Sequence, residues 1–225
     1  MSASVRVAIL DDHQSVIDGY IFRLSQTSKI QVVATARFGQ DLDSLLAKSS
    51  VDVLILDVQV ATSIDNPSPY PILHVIPNLL KSYDGLAVLV ISMYNQPSLI
   101  KAVMDAGASG YILKDDEPTI KELGSVISTI AEGGIHLSQL AYQQLFRKLP
   151  KESILTVRQL QILSICAAYP DATTGEIADK LGVAHSTVRN LLSGAYLSLH
   201  VRSRASAVDK ARHLGLITPP ATMEY

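Results

Sequence analysis

Cysteine is nearly absent from this chain. Cys166 is the only one among 225 residues, so no disulfide framework can form within one chain. Such scarcity is typical of proteins in a reducing compartment, and we expect a cytoplasmic location. Cys166 falls within an apolar helical pattern, and nothing else in the sequence supports catalysis there. We therefore interpret it as a small buried hydrophobic residue.

Long apolar runs are also missing. No stretch approaches the roughly 18 residues that a membrane-spanning helix needs, so the sequence predicts no membrane partner. The N-terminus enters a strand pattern almost at once, and no signal peptide is visible. Because 48% of the 225 residues are hydrophobic, each half of the chain can bury a core of its own.

Net charge is small, at −2, but it is unevenly distributed. Residues 1–150 carry 11 Lys and Arg against 15 Asp and Glu, whereas residues 151–225 carry 8 against 6. The C-terminal part is therefore mildly basic. An excess of this size is compatible with a nucleic-acid partner, but by itself it is only a weak indication of one.

The first 135 residues alternate between strand and helix patterns. Strands are predicted at residues 5–10, 30–35, 51–57, 87–92 and 110–114. Helices are predicted at residues 13–27, 41–47, 73–83, 97–106 and 118–131. The run at 51–57 is apolar almost throughout, as expected of a strand buried on both faces. Five β/α units favour a doubly wound, five-stranded parallel sheet of the flavodoxin-like class.

The C-terminal part shows only helical patterns. Helices are predicted at residues 156–168, 173–181, 185–199 and 203–214, the second opened by a capping box between Thr173 and Glu176. A short connection containing Gly182 joins the second to the third, which is the layout of a helix-turn-helix. We therefore predict an α/β domain at 1–135, a linker at 136–153 with a helix at 139–149, a small all-α domain at 154–217 and a tail at 218–225.

Reactive side chains follow four of the predicted strands. Asp11 and Asp12 follow the first, Asp57 ends the third, Ser92 ends the fourth and Lys114 ends the fifth. The carboxyl ends of parallel strands meet at one edge of the sheet, where ligands bind in open α/β folds. Clustered carboxylates repel one another and suit Mg²⁺. A metal-assisted aspartate can accept a phosphoryl group, with an ammonium neutralising the charge and a hydroxyl donating a hydrogen bond.

These residues resemble those of the receiver domain of two-component response regulators. The matching pieces are Asp11-Asp12-His13, Asp57 at its strand end, Ser92, and the run from Gly107 to Asp115. The resemblance implies that Asp57 is the phosphoacceptor and that Asp11, Asp12 and the backbone carbonyl of Gln59 join it in holding Mg²⁺. It also implies that Ser92 and Tyr111 form a switch pair, in which Tyr111 turns inward when Ser92 engages the phosphoryl group. An ordinary strand aromatic remains the alternative for Tyr111.

The loop after Asp57 departs from the receiver pattern. The family usually has Met-Pro three and four residues after the phosphoacceptor, followed by a turn containing glycine. Here Val60 and Ala61 occupy those positions, and a longer Pro-rich passage follows at residues 66–71. This departure leaves two readings open, a phosphorylation-controlled regulator and an orphan regulator of the same fold that is controlled by protein partners or a ligand.

The C-terminal part resembles the DNA-binding domain of LuxR/NarL/FixJ-type regulators. The matching runs are 155–158, 176–183, 186–190, 201–204 and 207–208. The helix at 185–199 is then the recognition helix, and it meets double-stranded DNA through some of its outward residues. The candidate contacts are His185, Thr187, Arg189, Asn190, Ser193, Arg202 and Arg204. Solvated helix faces are the alternative for all of them, and an internal ion pair is the alternative for Arg204. Ala184 stands where the N-cap Ser or Thr is usual.

Together the two resemblances imply a DNA-binding response regulator rather than an enzyme. Phosphorylation of Asp57 by a sensor histidine kinase or a small phosphodonor would promote a homodimer on DNA, and RNA polymerase is a further candidate partner. A phosphotransferase or phosphatase of the haloacid-dehalogenase kind also uses a strand-end Asp, but it has a second Asp where Gln59 stands. A dinucleotide-binding enzyme would need a Gly-rich turn where residues 11–14 lie.

Overall fold

The computed structural model describes residues 4–146 and 154–220. An α/β part comes first, with strands β1 Val5–Leu10, β2 Ile30–Ala36, β3 Val53–Leu56, β4 Ala87–Ser92, β5 Gly110–Leu113 and β6 His136–Leu137. Its helices are α1 Gln14–Ser25, α2 Leu42–Lys48, α3 Ile72–Ser82, α4 Pro97–Asp105, α5 Glu117–Lys121 and α6 Leu123–Ala131. The linker helix α7 Gln139–Leu145 follows. The helical part contains α8 Val157–Ala168, α9 Thr174–Leu181, α10 His185–Leu199 and α11 Arg204–His213.

The sheet is parallel throughout and has the strand order β2-β1-β3-β4-β5-β6. The doubly wound fold predicted from the sequence is confirmed, but the predicted number of five strands is wrong. The sixth strand pairs His136 with Gly110 and Leu137 with Tyr111. Two residues are too few to produce an alternating pattern, so the sequence gives no periodic signal for this strand.

Gly110 makes room for the sixth strand. A Cβ atom at this position would lie 2.6 Å from the backbone oxygen of His136, closer than any side chain tolerates. The β6 backbone is held by hydrogen bonds from His136 N–H to Ser109 O at 3.0 Å and from Ser138 N–H to Tyr111 O at 3.0 Å. Ser138 then caps α7, where its hydroxyl oxygen accepts from Ala141 N–H. The linker therefore begins as part of the sheet.

The structure refines three of the predicted helices. The helix predicted from Pro118 to Ala131 is divided at Glu122 into α5 and α6, because Glu122 leaves helical geometry, with ψ near 18°. Pro77 lies inside α3, which begins at Ile72. The helix predicted at 139–149 is present as α7, which ends at Leu145 with Phe146 as its C-cap, and residues 147–149 fall outside the described residues.

The core lies on both faces of the sheet. One face packs under α1 and α6, with side chains such as Ile17 and Ile127 against alternate residues of the central strands. The other face packs under α2, α3 and α4, and this cluster continues without a break into the helical part, as far as Leu163 and Ile217. Alternate residues of β3 serve the two faces, which explains why the run is apolar throughout. The two parts of the chain therefore share one apolar cluster.

Helix ends in the C-terminal part follow the sequence closely. The predicted capping box of Thr173 and Glu176 opens α9, and Gly182 ends it in the left-handed conformation, with φ of 62°. A second capping box, of Thr156 and Gln159, opens α8. α10 has the predicted bounds, and its N-cap Ala184 offers no side-chain hydrogen bond. The helix-turn-helix layout is confirmed.

Cys166 lies in the interior of α8, with 2% of its surface exposed. Burial raises the pKa of its thiol to about 11, so the thiolate is scarce at neutral pH. The prediction of a buried small hydrophobic residue is confirmed. Among residues 4–146 and 154–220, no helix has both the length and the apolar character that crossing a bilayer requires.

Candidate phosphoacceptor pocket and DNA-binding surface

The backbone of the sheet brings the four strand ends together. Asp11 N–H donates to Ala36 O, Asp57 N–H donates to Leu10 O at 2.9 Å, and Lys114 N–H donates to Ser92 O at 2.9 Å. Each bond extends a strand pairing by one residue. Asp11, Asp57 and Lys114 therefore each come directly after the last residue of a strand. Asp57 follows the last residue of β3 rather than belonging to it. The predicted convergence of these residues at the carboxyl edge is present in the structure.

Lys114 bridges two of the carboxylates. Its Nζ atom donates to Asp11 Oδ2 at 2.8 Å and to Asp57 Oδ2 at 2.8 Å. Both aspartates are buried, with 1% and 4% of their surfaces exposed. Burial raises the pKa of Asp57 because its charged form loses water, and the Lys114 ammonium opposes this only in part. Burial also acts to lower the pKa of Lys114, but the two carboxylates outweigh it and the pKa is raised.

The remaining acceptors of the pocket fit a divalent cation. Asp57 Oδ1 is buried and has no hydrogen-bond partner among the described residues. Asp11, Asp12 and His13 each offer one ligand atom, and these atoms lie within 4.8 Å of one another. Three carboxylates against one ammonium leave a local excess of negative charge, which suits Mg²⁺ with several waters retained. The backbone N–H of Gln59 acts to lower the pKa of Asp57, against the larger effect of burial.

Ser92 and Tyr111 lie side by side in the interior. Ser92 is fully buried, and its Oγ atom accepts from Tyr94 N–H at 3.2 Å. Tyr111 is also fully buried, and its hydroxyl donates to Tyr94 O at 2.7 Å. Burial raises the pKa of Tyr111, so the phenol stays protonated and remains a donor. Tyr111 thus occupies the inward position, and it bonds to the loop between β4 and α4. The sequence offered no signal for this role of Tyr94.

The second candidate site is the outer face of α10. Its apolar side packs inward through residues such as Val188 and Leu192, as expected. The opposite side is solvent-exposed, and it carries five of the predicted contacts: His185, Thr187, Arg189, Asn190 and Ser193. Arg202, in the turn after α10, is exposed as well. These six side chains are free to meet a partner, in contrast with the buried acids of the pocket.

Arg204 requires a correction. Its guanidinium donates to the backbone oxygens of Ala172 and Pro170, in the connection between α8 and α9. Neither a DNA contact nor an internal ion pair describes this arrangement. The side chain satisfies carbonyl groups of the irregular connection, which have no helix or strand to pair with. We therefore assign Arg204 to the stability of the helical part and leave it out of the proposed DNA contacts.

Comparison with known proteins agrees with both domains. The family model of the response regulator receiver domain matches residues 7–123, more than half of the chain. The model described as bacterial regulatory proteins, luxR family, matches residues 153–211. Transcriptional regulatory protein DegU of Brevibacillus brevis is 26% identical over 91% of this chain and 91% of its own length. The probable transcriptional regulatory protein NarL of Mycobacterium tuberculosis H37Rv is 28% identical over 95% of this chain and 96% of its own.

Solved structures share the arrangement of the fold. The response regulator ChrA of a heme-sensing two-component system has a TM-score of 0.51 at 27% identity, over 96% of this chain and all of its own. The response regulator RcsB in a complex with DNA has a TM-score of 0.59 at 23% identity, over 92% of this chain and 97% of its own. At that identity the RcsB match supports the fold alone. On the strength of the two family matches, the chain belongs to the NarL/FixJ-type response regulators, which are transcriptional regulators with a receiver domain and a LuxR-type DNA-binding domain.

Proposed function

We propose that this protein accepts a phosphoryl group on Asp57 and thereby controls its binding to duplex DNA. The observation that carries the proposal is the pocket of Asp11, Asp12, Asp57 and Lys114. Lys114 bonds to Oδ2 of Asp57 and leaves Oδ1 without a partner, so Oδ1 is available to a phosphoryl donor and to a cation. The donor is a sensor histidine kinase or a small acyl phosphate.

The residues of the pocket have separate tasks in this reaction. An Asp57 oxygen attacks the phosphorus atom and forms an acyl phosphate, while the bond from phosphorus to the donor breaks and releases the kinase histidine or the carboxylate of the small donor. Lys114 neutralises the negative charge that the new group brings, and Ser92 donates to one of its oxygens. Mg²⁺, held by Asp11, Asp12, Asp57 and the carbonyl of Gln59, would supply further charge neutralisation. His13 is positioned beside this set, with Nδ1 2.6 Å from Asp12 Oδ1.

The exposed face of α10 is proposed to enter the major groove of double-stranded DNA. Arg189 and Asn190 are suited to bidentate contacts with base edges. His185 and Thr187 lie in the first turn, near the positive end of the helix dipole, where phosphate groups bind. Ser193 and Arg202 would contact bases or the backbone on either side. A homodimer would read two half-sites about 10 base pairs apart.

The structure also favours a second candidate, a regulator of the same fold whose DNA binding is independent of phosphorylation. Tyr111 occupies the inward position, and β6 and α7 are packed over its strand. If Tyr111 stays in the inward position whether or not Asp57 is phosphorylated, Asp57 has no influence on DNA binding. The two candidates share the DNA surface and differ only in whether the pocket controls it.

Intact mass measured after incubation with Mg²⁺ and acetyl phosphate tests the proposal. We expect a gain of one phosphoryl mass on the wild type and no gain on Asp57→Asn. Asp105→Asn is a matched control, because Asp105 is exposed and paired with Lys101 far from the pocket, and we expect it to be labelled like the wild type. Labelling of Asp57→Asn, or no labelling of the wild type, would contradict the proposal. Sedimentation of the same samples tests for the dimer.

A further inference from the structure

A cavity lies where the loop after β3 meets α8 and α11. It has a volume of about 310 Å³, at the lower end of the range that holds small organic ligands. Ser68 lines it from the receiver, Cys166 lines it from α8, and Arg204 and Arg212 line it from α11. The cavity shares no residue with the phosphoacceptor pocket or with the exposed face of α10. Neither of the two sites described above therefore accounts for it.

The guanidinium of Arg212 in the cavity wall has no anionic partner. Its Nε atom is buried and makes no hydrogen bond within the described part of the chain, and Nη2 has one long bond, of 3.4 Å, to Ala167 O. No carboxylate of the described residues forms an ion pair with it. Burial lowers the pKa of Arg212, and the charge of Asp209 opposes this only in part. A charge in this position is unfavourable until a partner arrives.

A second guanidinium makes the wall positively charged. Arg204 donates to Pro170 O and Ala172 O, which are uncharged groups and leave its charge in place. Among the described residues that line the cavity, only Asp209 is acidic, and it is solvent-exposed. Two arginines against one exposed carboxylate leave the cavity with an excess of positive charge.

The neutral groups of the wall add hydrogen-bond donors. The backbone groups of Ser68 are bonded within their own loop, whereas its hydroxyl has no partner among residues 4–146 and 154–220. Burial raises the pKa of Cys166 to about 11, so its thiol stays protonated and adds no negative charge. The carbonyl of Ala167 already accepts from Arg212. The cavity therefore offers donors without partners, and a ligand that suits it must bring acceptor oxygens.

We propose that this cavity binds a small oxyanion, the phosphate or carboxylate group of a small molecule. Nε and Nη2 lie on one edge of the Arg212 guanidinium, and such an edge binds two acceptor oxygens through parallel bonds. Ser68 donates to the same anion from the receiver, and the apolar side chains of Ala205 and Val208 contact the remainder of the molecule. The inference does not depend on the phosphorylation of Asp57, and it holds for either of the two candidate functions.

The Nε–H group of Arg212 is a direct reporter of this binding. In proton–nitrogen NMR spectra of the full-length chain, its signal is identified by its absence in Arg212→Gln. Inorganic phosphate and succinate are titrated separately at constant ionic strength, so that the two kinds of oxyanion are distinguished. EDTA is present, which keeps Mg²⁺ out of the phosphoacceptor pocket. We expect a saturable shift of the Arg212 signal with at least one of the two anions.

Calorimetric titration of variants tests the roles of the lining residues. Arg212→Gln should weaken anion binding about tenfold or more, because a charge-assisted bond is lost. Ser68→Ala removes one neutral donor from the receiver side and should weaken binding about two- to tenfold. Lys210→Gln is the matched control, because it removes one positive charge from the same helix but does not line the cavity. We expect its anion affinity to equal that of the wild type.

Stability provides an independent readout. Arg212→Gln removes a poorly compensated charge, so in anion-free buffer it should unfold at the same denaturant concentration as the wild type or at a higher one. The anion that shifts the NMR signal should stabilise the wild type by mass action, and this gain should be lost in Arg212→Gln.

The outcomes decide the proposal. A shift with phosphate alone, with succinate alone or with both supports it and identifies the oxyanion. No shift with either anion at millimolar concentrations would overturn it. Equal weakening by Lys210→Gln and Arg212→Gln would attribute binding to the overall charge and would overturn it as well. A less stable Arg212→Gln with unchanged anion affinity would reassign Arg212 to the fold and count equally against the site.

Discussion

The two candidate sites of this molecule are built in opposite ways. The phosphoacceptor pocket is buried, and its charges already have partners, as when Lys114 holds Asp11 and Asp57. The DNA-binding surface is exposed, and side chains such as Arg189 project into solvent. A buried pocket is prearranged for its chemistry, and losing its ammonium leaves two carboxylates uncompensated. Substitutions on the exposed surface should change the folding free energy little, because its side chains form their interactions only when DNA binds.

The largest effect is expected from a substitution in the buried pocket, at Asp57. Asp57→Asn keeps the shape of the side chain but removes the attacking carboxylate, so we expect complete loss of phosphoryl labelling in mass spectrometry. The fold should become more stable without cations. Because burial raises the pKa of Asp57, its ionisation weakens the folded state as pH rises through that pKa. Thermal unfolding should show this gain at neutral pH and lose it towards pH 3.

Lys114 tests whether the pocket depends on its ion pairs. Lys114→Met removes the ammonium and leaves Asp11 and Asp57 facing each other in a buried site. Breaking a buried pair in this way typically costs about 3–5 kcal/mol of folding free energy. Denaturant titration should show a loss of this order, and Mg²⁺ should restore part of it. Full stability of Lys114→Met without metal would contradict the view that these charges depend on one another.

Arg189 is the corresponding test on the exposed surface. Arg189→Ala should weaken binding to a specific DNA site by about 1–3 kcal/mol, the usual contribution of one bidentate base contact. Stability should change by less than about 0.5 kcal/mol, because no buried partner is lost. Fluorescence anisotropy with a duplex selected from a random pool, together with denaturant titration, measures both. Equal loss of affinity for unrelated duplexes would reassign Arg189 to phosphate contact.

Ala184 offers a smaller test on the same surface. The first turn of α10 has no side-chain cap, and its N-cap backbone is extended, with φ of −67° and ψ of 148°. Ala184→Ser places a hydroxyl where it can accept from the backbone N–H groups of that turn. We expect a gain of about 0.5–2 kcal/mol in folding free energy, measured by denaturant titration. No gain would mean that those N–H groups are already satisfied by solvent.

The smallest expected effect concerns the linker strand. Burial lowers the pKa of His136, although the charges of Asp116 and Glu122 oppose it. The pKa of His136 is lower when β6 is paired with β5 than when β6 is free. The pairing is therefore most stable above the pKa of the free side chain, and it weakens as pH falls through the lower pKa of the paired strand. The protection of the His136 and Ser138 amides, measured relative to their intrinsic exchange rates at each pH, should therefore fall towards pH 5. His136→Gln should remove this pH dependence.

Much of the pocket could be predicted because the sheet constrains it. Once the apolar runs are identified as parallel strands, the residues that follow them must converge, and Asp11, Asp57 and Lys114 do so. The inward position of Tyr111 could not be predicted in this way, because its hydroxyl bonds to Tyr94 O, a contact between separate elements that no local pattern shows. The number of strands was wrong for a related reason, since β6 consists of two residues held by the rest of the sheet.

The contacts between the two domains could not be predicted. The sequence pattern places Asn66 in a loop, and its hydrogen bond to Ala168 spans 102 positions of sequence. Arg204 fits a DNA-binding pattern, but its direction is set by two carbonyl groups that no periodicity shows. In contrast, the capping box of Thr156 and Gln159 was readable from their spacing and was missed. Local patterns thus predict elements and caps, whereas distant pairs require the fold.

The most direct test of the account compares DNA affinity before and after phosphorylation. One preparation, with its phosphoryl content measured by mass, is titrated against a selected duplex at fixed salt, beside Asp57→Asn treated identically. We expect phosphorylation to strengthen binding of the wild type about fivefold or more and to leave Asp57→Asn unchanged. Equal affinity of fully phosphorylated and untreated wild type would contradict the claim that Asp57 controls DNA binding, and it would favour the phosphorylation-independent regulator.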